Sequence, residues 1–508
     1  MSSENDGISV PDLAQDIVSR SETLLQEMEQ LRQRYYTVKG SHKNIPGLAN
    51  LIDAVRQEQK SARLFLTPRS DDQADLSSDK NGSVEAHPAD ARLRFTNIPA
   101  IERNWDIVKR CRNLVSVEQS IPKVPRVGVR ENGGLIVHRK GPGKSKRGTD
   151  MAFVHAVVDG GAEWLRIVNK DEKRIMMELA AGGWDWDWES DDEDADEEDD
   201  ADLFEDVPLL RTAKELADTA RQYWNDYRRP RIRILLTRVE EAQSMELDRV
   251  IQKMRRAGGA DITITVECAD AAWISPDSQQ GIDTAVVNLV PAGISGLGST
   301  VLLDTSVMIA MASDLSHSRV EVQPWHSIDC KTQIRDEANG INFLKSQAYP
   351  PLRGRRLVCT KEALGHFREI TSTIGSPTEL ERARILLAGG REELQKLSIY
   401  PVPADLMLPV QEPDEETDLH AQDLVDKGEL PAVAVQIEKH LLGVPGNRAT
   451  HLYGWRSGIA VVTSNRSLAN KMVRMVESSL DADYEDGPRI FPLPYNRALS
   501  TKGPKERD

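Results

Sequence analysis

The strongest constraint in this chain is a short apolar run that ends in a carboxylate: Val301-Leu302-Leu303-Asp304, followed by Thr305-Ser306-Val307-Met308-Ile309-Ala310. Three consecutive apolar residues with no alternation describe a strand covered on both faces, as in a parallel sheet. A Thr-Ser pair straight after the Asp can cap a following helix. In open α/β sheets, ligands bind at the carboxyl ends of such strands, so Asp304 stands where chemistry is placed. A second apolar run, 458–463, ends in Ser464-Asn465 and precedes a helical pattern over 467–476. Between them lie a short strand over 356–360 and a helix over 361–374. Glu362 and His366 sit one turn apart on that helix. A strand is expected over 397–402, and the segment Gly428-Glu429-Leu430-Pro431 places an acid at the start of another helix.

If these strands are parallel, Asp304, Glu362 or His366, Glu429 and Asn465 converge on one edge. Carboxylates gathered there raise one another's pKa unless a cation separates them. Mg²⁺ or Mn²⁺ would accept their oxygens while keeping several waters, and would activate water for in-line attack on a phosphate. In an enzyme of this kind Asp304 and Glu429 would bind the metal. Glu362 or His366 completes the site, and Asn465 orients water or phosphate.

Upstream, apolar residues at helical spacing (Ile17, Leu24, Leu25, Met28, Leu31, Tyr35) and a second pattern over 48–65 describe an N-terminal helical hairpin, residues 1–66. Residues 67–150 read as a linker with one helix near 98–115 and a basic loop, in which 122–150 holds eight Lys or Arg against two acids. This loop fits either a nucleic-acid arm or a solvated segment. From 151 to 268 the order reads β-β-α-α-β-α-β, a mixed sheet with helices packed on it. In it Asp159, Glu163 and Arg166 straddle a hairpin, loosely like the acidic-basic strands of restriction-endonuclease folds. Residues 269–298 read as a connector, 299–495 as a second α/β domain and 496–508 as a tail.

The chain has 508 residues and a net charge of −16, but an insertion at 184–206 carries fifteen Asp or Glu and no Lys or Arg. It accounts for nearly all of the imbalance, so the low pI says little about what the folded parts bind. Fifteen like charges repel and favour an extended segment. Its Trp184, Trp186 and Trp188 offer anchors for protein partners, and Ser190 precedes three acids as in an acidophilic kinase site. Cys111, Cys268, Cys330 and Cys359 have no metal-ligand spacing and fit a reducing compartment. With no signal-peptide pattern and no apolar run long enough for a membrane span, a cytoplasmic or nuclear protein without a membrane partner is expected.

The run VLLDTSVMIA resembles the first strand and helix of PIN domains, and GELPAVAV and VVTSNRSLANKM resemble later segments of that superfamily. A wider resemblance takes in the N-terminal helices, AVVDGGAEWLRIVNK, RAGGADITITVE and TSTIGSPTELERARIL. It is to the eukaryotic family known as domain of unknown function 1308, a PIN-like domain preceded by its own α/β domain. The resemblance implies a mainly parallel PIN-like sheet, and PIN domains are generally metal-dependent ribonucleases with three or four acidic residues. Asp304 matches the first acidic position. His366 stands at the second, with Glu362 one turn earlier, Glu429 at the third, and Asn465 where active nucleases carry Asp. The acidic set is thus only partly kept. The resemblance implies a weakened or inactive module that binds RNA or protein, or else a Mg²⁺- or Mn²⁺-dependent endoribonuclease with a partial site.

Overall fold

The computed structural model describes residues 9–39, 44–66, 93–123, 151–181, 207–274, 280–291, 294, 296–444 and 446–500. Most of the expected linker, the basic loop beyond 123, the acidic insertion with its tryptophans and Ser190, and the last eight residues lie outside these. The chain divides into two compact units, Met1–Ala292 and Gly293–Asp508. Both are α/β.

The first unit is built on a five-stranded sheet: β1 (Ser116–Pro122), β2 (Met151–Val158), β3 (Glu163–Asp171), β4 (Arg231–Arg238) and β5 (Ile264–Cys268), adjacent in that order. β1 to β3 run antiparallel; β3 to β5 are parallel. The β-β-α-α-β-α-β order over 151–268 is the order found, with helices Glu172–Ala181, Pro208–Ala220 and Met245–Arg256 between the strands. Alternation along β4 explains the layers. Ile232, Ile234 and Leu236 face helices Pro208–Ala220 and Met245–Arg256. Leu235, with Leu165 and Ile167, faces the opposite layer, made by helices Val10–Lys39, Leu48–Arg63 and Ile98–Lys109.

Two sequence expectations change in this unit. The helix near 98–115 ends at Lys109, and β1 follows it. The connector 269–298 contains helix Ile282–Leu289, whose Leu289 is buried in the N-terminal layer and whose Asn288 and Leu289 carbonyls accept the Asn113 and Leu114 amides. The hairpin of 1–66 docks on β1 through its turn. The Val117 amide donates to the Pro46 carbonyl at 3.0 Å, and Gly47 adopts φ +85° against Val117.

The second unit has a four-stranded sheet in the order β7-β6-β8-β9, all parallel: β6 (Thr300–Leu303), β7 (Arg356–Val358), β8 (Ala460–Thr463) and β9 (Ile490–Pro492). Val301, Leu302 and Leu303 are all fully buried because both faces are covered. The strand expected over 397–402 does not form. Pro401 and Pro403 lack the N–H a ladder needs. The Gln395 side chain serves that stretch instead, donating to the carbonyls of Ser398 and Tyr400 and accepting from the Val402 amide. The expected tail from 496 is docked as far as Ser500. Arg497 pairs with buried Glu337 at 2.8 Å and lies over the Phe343 ring, and the Ser500 amide donates to Glu379. All four cysteines are free and buried. Among the described residues no helix is long and apolar enough to cross a membrane.

Candidate functional site

In the second sheet the chain passes from β6 to β7 on one side and returns to β8 on the other. The order therefore reverses between β6 and β8, and the crevice at their carboxyl ends is the position where such sheets bind ligands. Asp304 follows β6 there, and Thr463, Ser464 and Asn465 stand at the end of β8.

The Asp304 carboxylate is buried, and each of its oxygens accepts hydrogen bonds from the chain. Oδ1 accepts from the Ser306 hydroxyl at 2.5 Å and from the Val307 amide at 3.0 Å, the N-cap bond of helix Thr305–Ala312. Oδ2 accepts from the Thr463 hydroxyl. Burial pushes the Asp304 carboxyl above its ordinary range, against the lowering pull of Ser306, Thr463 and the two backbone amides. The network continues outward: Ser306 Oγ accepts the Ser464 amide at 2.9 Å, and Thr463 Oγ1 accepts the Asn465 amide at 2.9 Å. The Asn465 side chain caps helix Arg466–Glu477 through the Leu468 amide at 3.2 Å. Two helices thus begin at the crevice. The Asp304 side chain caps the first, Thr305–Ala312, and Asn465 the second. Ser306 and Thr463 were not singled out in the sequence, although the Thr-Ser and Thr-Ser-Asn strings around them were.

The structure brings Asp304 and Asn465 together through Thr463. It does not bring Glu429 to them. Glu429 lies in the bend between helices Ala421–Asp426 and Val433–Leu441 rather than at a helix start, and pairs with Arg456 at 2.7 Å. Helices Val433–Leu441 and Asn447–Arg456 run antiparallel, since Glu438 approaches Arg448 at 4.0 Å at their other end. Arg456 ends the helix that leads into β8, so its pair with Glu429 lies toward the edge where β8 begins. Asp304 lies at the edge where β8 ends. Among the described residues no group of three or more His, Cys, Asp or Glu side chains is placed to hold a metal ion.

Glu362 and His366 flank the crevice on the helix that follows β7. Thr305 reaches this helix, donating to the Ala363 carbonyl at 3.3 Å. The Glu362 carboxylate accepts from the buried Thr417 hydroxyl at 2.7 Å. This bond fixes the loop 411–418, whose Glu412, Asp414, Glu415, Glu416 and Asp418 are exposed, beside the start of the helix. His366 Nδ1 stands 3.6 Å from Glu369, too far for a hydrogen bond. Deeper in, Thr360 meets Thr450 at 3.2 Å. Neighbouring His451 is buried with both ring nitrogens unpartnered, and burial lowers its pKa to about 4, so it is neutral.

In the first unit Asp159 and Glu163 are paired rather than gathered into an acidic-basic active site. Arg231 lies 2.9 Å from Asp159 and 3.6 Å from Glu163, and Arg233 bridges Glu163 at 3.1 Å and Glu267 at 3.5 Å. Arg166 lies apart from them, over the Phe153 ring.

Comparison with known protein families, curated proteins and solved structures finds no match.

Proposed function

We propose that residues 299–495 are a PIN-like domain that no longer performs metal-dependent phosphodiester hydrolysis and serves as a protein-binding module. One observation carries this reading: the carboxylate that would lead a metal site, Asp304, spends both oxygens on Ser306, Val307 and Thr463, and its expected co-ligand Glu429 is paired with Arg456. A Mg²⁺ or Mn²⁺ ion bridging an enzyme and a phosphate needs several ligand groups gathered around it, and among the described residues no group of three or more His, Cys, Asp or Glu is so placed. On the loop 411–418, Glu412, Asp414 and Asp418 pair with Arg368, Arg356 and Arg448, while the exposed Glu415 and Glu416 favour a partner with basic groups. The tryptophan-bearing acidic insertion 184–206 is proposed as a second docking element for protein.

Single-stranded RNA incubated with the full chain and either Mn²⁺ or Mg²⁺ tests this directly, with Asp304→Asn run in parallel. No cleavage above background is expected from either protein, and no retention of RNA at physiological salt. Burial already favours the neutral carboxyl, so the Asn variant should stay folded. Metal-dependent cleavage by the wild type that disappears in Asp304→Asn would make the domain an endoribonuclease working with a partial site.

A further inference from the structure

A cleft of about 640 Å³ opens in the first unit between helices Leu48–Arg63 and Ile98–Lys109 and strands β1 and β2. That size falls within the range of small-molecule sites. Its walls are divided about evenly between polar and apolar surface, with Leu51, Ile101, Phe65 and Phe95 on the apolar part. Phe95 is 84% exposed, a large cost for an aromatic ring that covers nothing else.

Glu118 and His155 face each other across this wall. The β1–β2 register places Val117 against Ala156 and Gln119 against Val154, so Glu118 and His155 are opposite residues, and both line the cleft. Glu118 holds φ +46°, a left-handed backbone that an ordinary side chain adopts only under strain, in the middle of a strand. His155 Nδ1 accepts the Ile167 amide at 3.0 Å, which puts the ring proton on Nε2. Burial, reinforced by Arg166, lowers the His155 pKa to about 3 and keeps the ring neutral.

Among the described residues the lining holds two carboxylates, Glu58 and Glu118, and no Lys or Arg. Glu58 is occupied, accepting from the Thr96 hydroxyl at 2.9 Å and from the Asn97 side-chain Nδ2 at 2.8 Å. Glu118 has no such local donor. Helix Ile98–Lys109 contributes Ala100, Ile101, Asn104, Trp105 and Val108, none of them charged. From β3, Arg166 is the charged group that acts on Glu118. An anion entering the cleft meets only like charge. A cation with an apolar body meets the Glu118 carboxylate, aliphatic side chains and aromatic rings.

We infer that this cleft is a binding site for a small organic amine, its ammonium held by Glu118 and its alkyl chain lying against Leu51, Ile101 and Phe95. Burial raises the Glu118 pKa to about 7, with Arg166 opposing the shift. Below that pH the protonated carboxyl has no charge to offer; above it the ion pair forms. Binding of an alkylamine, itself protonated throughout this range, therefore strengthens as pH rises through 7.

Hexylamine, hexanol and hexanoate share a chain and differ in head-group charge, so calorimetric titration of each into the full chain separates charge from hydrophobicity. At pH 8 hexylamine should bind at least about tenfold more tightly than the other two, and moving to pH 6 should weaken it about tenfold, as the ionised fraction of Glu118 falls. Glu118→Gln should remove both the preference and the pH dependence, and Phe95→Ala should weaken hexylamine. The wild-type pH series stands whether or not the variants fold. Equal binding of hexanol and hexylamine, a pH-independent hexylamine affinity, or no saturable hexylamine binding would each overturn the assignment.

Discussion

Arg382→Ala is expected to destabilise the second unit by about 3–5 kcal/mol, the usual result of removing one partner from a buried ion pair. Arg382 is 1% exposed. Its guanidinium donates to Asp314 Oδ1 at 2.7 Å, to the Ala312 carbonyl at 3.2 Å and twice to the Leu397 carbonyl, at 2.8 and 3.0 Å. It thereby ties helix Pro377–Ala388 to the end of helix Thr305–Ala312 and to the chain after helix Arg391–Lys396. Burial pushes the Asp314 carboxyl up, but Ser376, Thr378 and Arg382 together outweigh it and hold the group below the usual carboxylate range. Alanine leaves that carboxylate buried with no counter-charge and strands two carbonyls. In a unit of this size the loss corresponds to a melting temperature lower by roughly 10 °C or more. The sign of the pH effect follows. Asp314 contributes stability above its unfolded value of 3.8 and loses it as pH falls through its lower folded value, so the variant should show a shallower acid-side decline. Urea unfolding of both proteins at neutral and acidic pH measures each part; a midpoint shift within error would mean that water replaces the guanidinium.

Gly47→Ala should be comparably damaging, at about 3 kcal/mol or more. Two terms add: a Cβ at φ +85° strains the backbone, and it would lie 1.6 Å from the Val117 carbonyl oxygen, so the turn must leave β1. The Pro46–Val117 hydrogen bond would go with it. Gly160→Ala is the matched control. Its φ of +67° carries the strain, but nothing lies within 4 Å of the added carbon, so a loss of about 1 kcal/mol is expected. Chemical denaturation of the two variants side by side should separate steric conflict from conformational cost. Equal losses would show that the turn relaxes away from β1 at little expense.

The elements best read from the sequence were those with one dominant pattern. Val301 to Leu303 is apolar without a break, and it is the central strand. Helix Met245–Arg256 has a Ser244 cap and an amphipathic face, and stands at its expected place in the β-β-α-α-β-α-β order. Failures came where a distant partner decided the outcome. β1 has a left-handed Glu118 in its middle, and only its pairing with β2 makes it a strand. β9 has three residues and a terminal Pro492, too short for any periodicity. Asp304 was legible as a key carboxylate because strand and cap signals meet there. That it would spend its oxygens on Ser306, Val307 and Thr463 depends on how β8 lies beside β6, which spacing does not encode. The same holds for Glu429, whose fate is set by Arg456 on a helix that folds back antiparallel.

The distribution of thiols has a practical consequence. Cys111 and Cys268 belong to the first unit, Cys330 and Cys359 to the second, and all four are buried. Burial raises the pKa of each, to about 12 for Cys111 and Cys268, so little thiolate exists while the fold is closed. Alkylation therefore waits on opening. Two natural reporters per unit make residue-resolved labelling rates a clock for each half of the chain, with no engineered probe.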